Sequence, residues 1–189
     1  MRPAYRALLF ALAGIALAAC GSQEPVTDAD KALFLRVADL AEFGVRYPNA
    51  EAAETFSKAK QPDGSYELTY RFEASGDARR PLFLQSSVNV GRNTSDAMLA
   101  ESAEKIGLLV AFKKSGVEER EIPGIRAGKL TLLVKGDIPI GNVFTLRNGT
   151  NTHFLVMSGL FVKDPAVWQK LMQPKLERLA RYSPEAKAN

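Results

Sequence analysis

The stretch Tyr66-Glu67-Leu68-Thr69-Tyr70-Arg71-Phe72-Glu73 alternates large apolar side chains with polar ones. Because successive side chains of a β-strand point to opposite faces, this alternation predicts a strand with one buried face. The preceding Pro62-Asp63-Gly64-Ser65 is a typical turn sequence. We therefore expect residues 54–60 to be extended as well and to form a hairpin with this strand.

Further strands are predicted along the chain. The segments with strand character are 81–90, 117–122, 130–134, 143–147 and 153–161. The last two flank Asn148-Gly149-Thr150, and an Asn-Gly pair between extended segments favours a hairpin. The sequence Ile122-Pro123-Gly124 predicts another chain reversal.

Two longer helices are predicted outside these strands. Thr94 or Ser95 is expected to cap a helix that runs to about Lys114, with Gly116 as its stop. Its apolar residues recur at intervals of three and four and are expected to face inward. They are Leu99, Ala103, Ile106 and Val110.

The closing helix is expected from Asp164, its N-cap, to Tyr182, with a kink or a split at Pro174. Its expected inward stripe is Val167, Leu171, Leu176 and Leu179, and Trp168 is expected at the core or its rim. A shorter helix over Leu33–Phe43 ends before Gly44. Antiparallel strands with one inserted and one C-terminal helix packed on them predict an α+β domain.

The N-terminus has the pattern of a targeting signal in a chain of 189 residues. Arg2 and Arg6 precede the uncharged apolar run from Ala7 to Ala19. That run is shorter than the roughly 20 helical residues that span a bilayer. We therefore interpret residues 1–19 as a signal peptide.

The segment Leu17-Ala18-Ala19-Cys20-Gly21 resembles the lipobox of bacterial lipoproteins. The resemblance implies cleavage between Ala19 and Cys20 and attachment of acyl chains to Cys20, the only cysteine of the chain. Gly21, where an aspartate would signal inner-membrane retention, favours the periplasmic face of the outer membrane; the inner membrane is the alternative. A plain secretory signal ending in Ala-Ala-Cys is the competing interpretation.

Four regions are expected: the signal peptide 1–19, a lipidated cysteine with a flexible tether over 20–30, one α+β domain over 31–183, and a tail over 184–189. Cleavage removes Arg2 and Arg6 and no acidic residue, so the net charge falls from +4 to +2. Such dilute positive charge gives no indication of nucleic-acid binding.

The order of elements from Asp63 to Tyr182 resembles the PsbP-like α/β/α sandwich, which includes the DcrB-type lipoproteins. The motifs behind the resemblance are the turn from Ile122 to Gly128, the Asn148-Gly149 hairpin and the helix from Asp164. Members of that family mostly act as accessory or assembly factors and share no catalytic residues. The resemblance therefore implies a non-catalytic role.

Motifs for catalysis or cofactor binding are absent from the sequence. His153 is the only histidine, no Gly-x-Ser-x-Gly elbow accompanies it, and neither zinc-ligand spacing nor a phosphate-binding loop occurs. Glu118, Glu119 and Glu121 are interpreted as a solvated strand edge rather than as paired carboxylates or a Ca²⁺ site. The basic residues Lys175, Arg178 and Arg181 are interpreted as the wet face of a helix rather than as a contact for anionic lipid or an acidic partner.

These observations predict an envelope lipoprotein that binds or assembles other envelope proteins, held to the membrane through its lipid. No catalytic, cofactor-binding or metal site is expected, and no nucleic-acid partner. The alternative function is binding of a small amphiphile between sheet and helix, in a pocket lined by Phe83, Leu99, Ile106 and Phe154. An enzyme would need His153 beside carboxylates that the sequence does not bring together.

Overall fold

An antiparallel sheet of eight strands dominates the described part of this computed structural model, which covers residues 21–45, 47, 50–74, 82–95, 97–99, 101–103, 116–126, 128–135 and 138–185. The strands are β1 (Ser22–Gln23), β2 (Glu54–Lys60), β3 (Tyr66–Glu73), β4 (Phe83–Val90), β5 (Gly116–Glu121), β6 (Gly128–Lys135), β7 (Ile138–Asn148) and β8 (Asn151–Ser158). Their spatial order is β1-β2-β3-β4-β8-β7-β6-β5. Two meanders, β1 to β4 and β5 to β8, therefore meet where β4 pairs with β8.

The helices confirm the α+β class. Two short helices span Asp28–Lys31 and Ala50–Ala53, a 3-10 helix spans Val37–Phe43, and the C-terminal helix spans Pro165–Leu179. The described residues from 94 to 103 are helical as well. The predicted Leu33–Phe43 helix is shorter than expected because Leu33 lies in the preceding turn, and it ends at Gly44 with a φ of 74°.

The alternating stretch forms β3 as predicted. Tyr66, Leu68, Tyr70 and Phe72 are all buried, whereas the residues between them are only partly buried. The turn before β3 is held by Asp63, whose Oδ1 accepts from the backbone nitrogen of Ser65 at 2.8 Å. The predicted hairpins, 54–73 and 143–161, are both confirmed by the strand pairing.

We call the side of the sheet that carries Leu68, Leu84 and Leu155 the first face. These residues belong to one buried cluster with the N-terminal turns and the C-terminal helix. The Trp168 ring stacks on the Phe144 ring at a centroid distance of 6.3 Å and an interplanar angle of 4°. Its indole nitrogen donates to the Val162 carbonyl at 3.0 Å, which fixes the helix on the sheet.

The C-terminal helix buries more side chains than the predicted stripe. Leu171 and Leu179 are buried as predicted, but Val167 and Leu176 are only partly buried. The other buried side chains of this helix are Trp168, Met172 and Lys175. Val167 and Leu176 nevertheless pack against the core, so the predicted stripe does face inward, and these three residues extend it.

Pro174 does not split this helix, contrary to one form of the prediction. Its N-cap is Asp164, as predicted, whose Oδ1 accepts from the Ala166 nitrogen at 2.8 Å. Pro174 and Lys170 both lie on the exposed side. Proline has no N–H, so Pro174 cannot donate to the Lys170 carbonyl four residues earlier. On the exposed side of the helix, water can donate to that carbonyl instead.

The second face of the sheet contacts the inserted helical segment. Arg147 on this face pairs with Glu101 at 2.7 Å, and Ala97 is buried. Leu99 is 70% exposed and Ala103 is also exposed, so the predicted inward stripe is wrong at both positions. The helix presents Ala97 and Glu101 to the sheet instead, and Leu99 lies half a helical turn away from them.

The ends of this predicted helix also differ. Thr94 and Ser95 are themselves helical rather than preceding the helix, and the Asn93 carbonyl accepts from the Ala97 nitrogen at 3.4 Å. Ile106, Val110 and Lys114 lie outside the described residues. Gly116, expected as the helix stop, begins β5.

Candidate functional site

The segment that follows the predicted lipidation site is attached to the sheet. The signal peptide, Ala19 and Cys20 lie outside the described residues, which begin at Gly21. Ser22 and Gln23 pair with Lys60 and Ala59 of β2. The chain after Gly21 therefore continues the sheet, whereas a flexible tether was expected up to residue 30.

A cluster of buried and partly buried polar groups holds this segment, and we call it the terminal clasp. It consists of Thr27, Asp30, Lys58, Tyr182 and Pro184. Asp30, which is 1% exposed, accepts at Oδ2 from the Thr27 nitrogen at 2.7 Å and from the Thr27 hydroxyl at 2.9 Å. At Oδ1 it accepts from the Tyr182 hydroxyl and from the Lys58 ammonium, the latter at 3.4 Å.

Charge and hydrogen bonding in the terminal clasp balance the burial of its ions. Burial alone would raise the pKa of Asp30, but hydrogen bonds from Tyr182 and Thr27 and the charge of Lys58 hold that pKa below its usual value. The Lys58 ammonium also donates to the Pro184 carbonyl at 2.8 Å. Every charge in the terminal clasp therefore has a hydrogen-bonded partner.

The terminal clasp joins the two ends of the domain. Pro184, expected to begin a tail, instead contacts β2 through Lys58, and Glu185 pairs with Lys60 at 3.2 Å. Residues 186–189 lie outside the described part of the chain. Both terminal segments are thus held at the same edge of the sheet.

A second polar cluster lies on the first face at the opposite end of β2 from the terminal clasp. Glu54 accepts from the Arg36 guanidinium, with Nε at 3.2 Å, and from the Tyr70 hydroxyl at 3.0 Å. The Val37 nitrogen donates to that hydroxyl at 3.0 Å. Burial raises the pKa of Tyr70, so the phenol stays protonated and acts as a link in this chain of hydrogen bonds.

The basic residues of the C-terminal helix do not form one solvent-exposed face. Lys175 is 8% exposed and pairs with Asp39 at 3.0 Å, so the prediction was wrong for this residue. Arg178 and Arg181 are exposed, and Arg178 donates to the Ala32 carbonyl at 3.2 Å. The long stem of Lys175 packs against the core while its ammonium meets a carboxylate.

His153 is a core residue on the first face. It is 1% exposed, its Nε2 lies 2.7 Å from the Ser86 hydroxyl, and its ring meets Phe144 edge to face at 5.8 Å. Its Nδ1 is buried and has no hydrogen-bond partner within the described part of the chain. Burial lowers the pKa of His153 to about 4, so the ring is neutral at neutral pH.

This geometry is that of a structural histidine. A general base needs a proton donor on a substrate within hydrogen-bond reach, and a side chain this deeply buried offers no such access. Ser86 is equally inaccessible, at 0% exposure. His153 and Ser86 are within hydrogen-bond distance, as a catalytic base and its nucleophile would be, but both are buried.

The acidic group of β5 lies at an edge of the sheet. Glu121 is exposed and pairs with Lys129 at 3.2 Å. The backbone of Glu118 and Glu119 belongs to the same edge strand, while their side chains lie outside what the structure describes. Among the described residues, no group of three or more His, Cys, Asp or Glu side chains is placed to hold a metal ion.

Of the residues predicted to line an amphiphile pocket, three are described, and one of them does not face inward. Phe83 and Phe154 are buried on the second face, whereas Leu99 is exposed, and Ile106 lies outside the described residues. The described surface has a groove of about 570 Å³ elsewhere, between residues 29–33 and the end of the C-terminal helix. Arg178, Arg181 and Tyr182 line it.

The terminal clasp was not predicted, although part of it had a sequence signal. Thr27 and Asp30 form a capping box, in which the threonine side chain and the third helical residue satisfy each other's backbone nitrogens. That pattern could have indicated a helix start at Asp28 within the supposed tether. The partners Lys58 and Tyr182 are far away in sequence and carried no comparable signal.

No helix in the described parts of the chain has the length and apolar character that crossing a membrane requires. Neither a protein-family model nor a curated protein sequence matches this chain.

Proposed function

We propose that this chain is a bacterial envelope lipoprotein anchored through Cys20, and that its domain acts as a non-catalytic binding or assembly factor. The lipobox-like sequence Leu17-Ala18-Ala19-Cys20-Gly21 carries the proposal. Acyl chains on Cys20 would hold the domain at the periplasmic face of the outer membrane, with the inner membrane as the alternative. Two or more chains are needed for stable attachment, since one alone binds only marginally.

The fold is compatible with the proposed PsbP-like or DcrB-like relationship. The described sheet has the C-terminal helix on its first face and the inserted segment on its second face. Burial of His153 and Ser86 within the core also supports a role that does not depend on catalysis by this pair. The proposed partner is therefore another envelope protein rather than a substrate to be transformed.

Substitution of the cysteine tests the anchor. Cys20→Ser keeps the size of the side chain but cannot form a thioether, so we expect an uncleaved precursor or a protein lost from the membrane fraction. Ser22→Ala is the matched control, because it changes an exposed residue two positions away and should leave acylation intact. Acyl chains on the Cys20→Ser protein, found by mass spectrometry, would contradict the proposal.

Native mass spectrometry of the purified domain separates the two binding functions. A domain that acts on envelope proteins should carry no small molecule, and crosslinking in intact membranes should yield the same envelope protein in repeated experiments. A stoichiometric amphiphile bound to the domain would favour the alternative, a lipid-binding module.

A further inference from the structure

The position of Gly21 leaves almost no free chain between Cys20 and the sheet. A Cβ placed on Gly21 would lie 2.6 Å from the Lys60 carbonyl oxygen, so the backbone here lies directly against β2. Neighbouring Cα atoms are about 3.8 Å apart. Because Cys20 is bonded to Gly21, acyl chains on this cysteine would begin within one residue of the end of β2.

We call this end of the sheet the anchored end. It comprises the β2–β3 turn (61–65), residues 91 and 92 after β4, and the β7–β8 turn at 149 and 150. Arg92 donates to the Asp63 carbonyl at 2.7 Å, and the Gly91 nitrogen donates to the Thr150 carbonyl at 3.0 Å. These hydrogen bonds join the three loops into one continuous surface.

The inserted helix begins at the anchored end and exposes two neighbouring apolar side chains. Met98 is 52% exposed and Leu99 is 70% exposed. The pairing of Glu101 with Arg147, which precedes the β7–β8 turn, keeps this part of the helix beside that end. The short link to the lipid and the first turns of this helix, with the two exposed side chains, are therefore at the same end of the sheet.

We propose that the anchored end lies directly against the bilayer, with Met98 and Leu99 in contact with its interfacial region. This inference rests on the proposed anchor at Cys20. A lipid surface is the occupant that the geometry favours, because the anchor brings it to this end and the exposed apolar pair would be removed from water there. The domain would then have one orientation on the membrane rather than rotating on a tether.

A matched pair of exposed apolar positions allows a direct test. Ile138 is 67% exposed and lies at the other end of β7, about 30 Å from the β7–β8 turn at roughly 3.3 Å per residue. Leu99→Cys and Ile138→Cys can each carry an environment-sensitive fluorophore, since the native cysteine is acylated. The lipidated full chain would be placed in vesicles of phosphatidylethanolamine and phosphatidylglycerol.

We expect a blue shift at position 99 and quenching there by a quencher attached to the lipid chains, with neither effect at position 138. Insertion of a flexible Gly-Ser segment between Gly21 and Ser22 should remove both effects at 99 while acylation continues. Equal exposure of both labels to water, on a protein whose Cys20 is shown by mass spectrometry to be acylated, would overturn the orientation alone. Lack of acyl chains on Cys20 would overturn the proposed function as well.

Discussion

Two buried polar side chains, Lys58 and His153, lie in one cross-strand row on the first face, and they differ in how fully their hydrogen-bonding capacity is used. Lys58, Leu68, Val88 and His153 occupy successive strands of this row. At the β2 end, Lys58 meets a carboxylate and a backbone carbonyl. In the middle of the sheet, the His153 ring has one hydrogen-bond partner among the described residues, Ser86, and its Nδ1 has none there.

The difference shows how position in the sheet limits the choice of partners. Near the β2 edge the two terminal segments can approach and supply Asp30, Tyr182 and Pro184. In the centre, the pairing neighbours of His153 are Val88 and Leu146, which are both apolar. A buried ion is stabilising only where such partners reach it, while a neutral imidazole can remain in the core at a smaller cost.

The largest expected effect comes from Asp30→Ala. This change removes the nearer of the two carboxylates at the Lys58 ammonium, leaving Glu24 at 4.0 Å, and it removes the acceptor of Thr27 and Tyr182. Breaking a buried pair in this way costs about 3–5 kcal/mol of the free energy of unfolding. Urea unfolding followed by the fluorescence of Trp168, which is fully buried, would measure it.

Asp28→Ala is the control for that experiment. The Asp28 side chain is fully exposed and pairs with Lys31 at 3.3 Å. The free energy of unfolding should change by no more than about 0.5 kcal/mol. Equal urea midpoints for the two variants would show that the terminal clasp does not stabilise the domain.

The second effect is a loss of stability in mild acid. The pKa of His153 is about 4 in the folded protein and 6.5 when unperturbed, so between these values only the unfolded chain binds a proton. Stability should therefore fall as the pH drops from 6.5 to 4, by about 3 kcal/mol in total, and this contribution should not change further below pH 4.

His153→Gln isolates this contribution because glutamine does not titrate. Subtracting its unfolding free energy from that of the native protein at each pH should give a step between pH 6.5 and 4. The lowered pKa of Asp30 acts in the same direction only below its ordinary value of 3.8 and so lies outside this window. A flat difference across the window would mean that His153 is protonated in the folded protein.

A smaller effect is expected from Ser86→Ala. It removes the one hydrogen-bond partner that the described residues offer the His153 ring, so that both ring nitrogens are buried without a hydrogen bond to that part of the chain. The cost is about 1–3 kcal/mol. Ser87→Ala, one residue along on the second face and only partly buried, should change stability by less than about 0.5 kcal/mol.

The contrast also explains which features the sequence could predict. The period-two pattern from Tyr66 to Glu73 requires only neighbouring residues, so β3 and its hairpin followed from it. The Asn148-Gly149 and Pro62-Asp63-Gly64 turns are equally local, and both glycines have positive φ angles. Local signals therefore predicted most strands and the α+β class.

Features that depend on distant partners were missed. The Asp30–Tyr182 contact joins residues 152 positions apart, and no sequence period reports such a pair. The same limit applies to the inserted helix. Its apolar spacing predicted an inward Leu99, whereas the helix faces the sheet with Glu101, which pairs with the distant Arg147. The anchor at Cys20 remains a prediction from sequence, since the described chain begins at Gly21.

The last prediction distinguishes most directly between the His153–Ser86 pair and the terminal clasp. In the double variant Ser86→Ala with His153→Leu, both polar partners become apolar, and the free energy of unfolding should lie within about 1 kcal/mol of the native value. The double variant should thus be more stable than Ser86→Ala alone, and it should lack the step between pH 6.5 and 4.

The equivalent change in the terminal clasp should behave differently. Asp30→Leu with Lys58→Met removes both charges but leaves the Thr27 backbone nitrogen and the Tyr182 hydroxyl without their acceptor. We expect this double variant to remain destabilised by about 1–3 kcal/mol for each donor that stays buried. Recovery to native stability in the same urea experiment would contradict this expectation. It would show that water reaches those donors at the edge of the sheet, whereas water does not reach His153 in the centre.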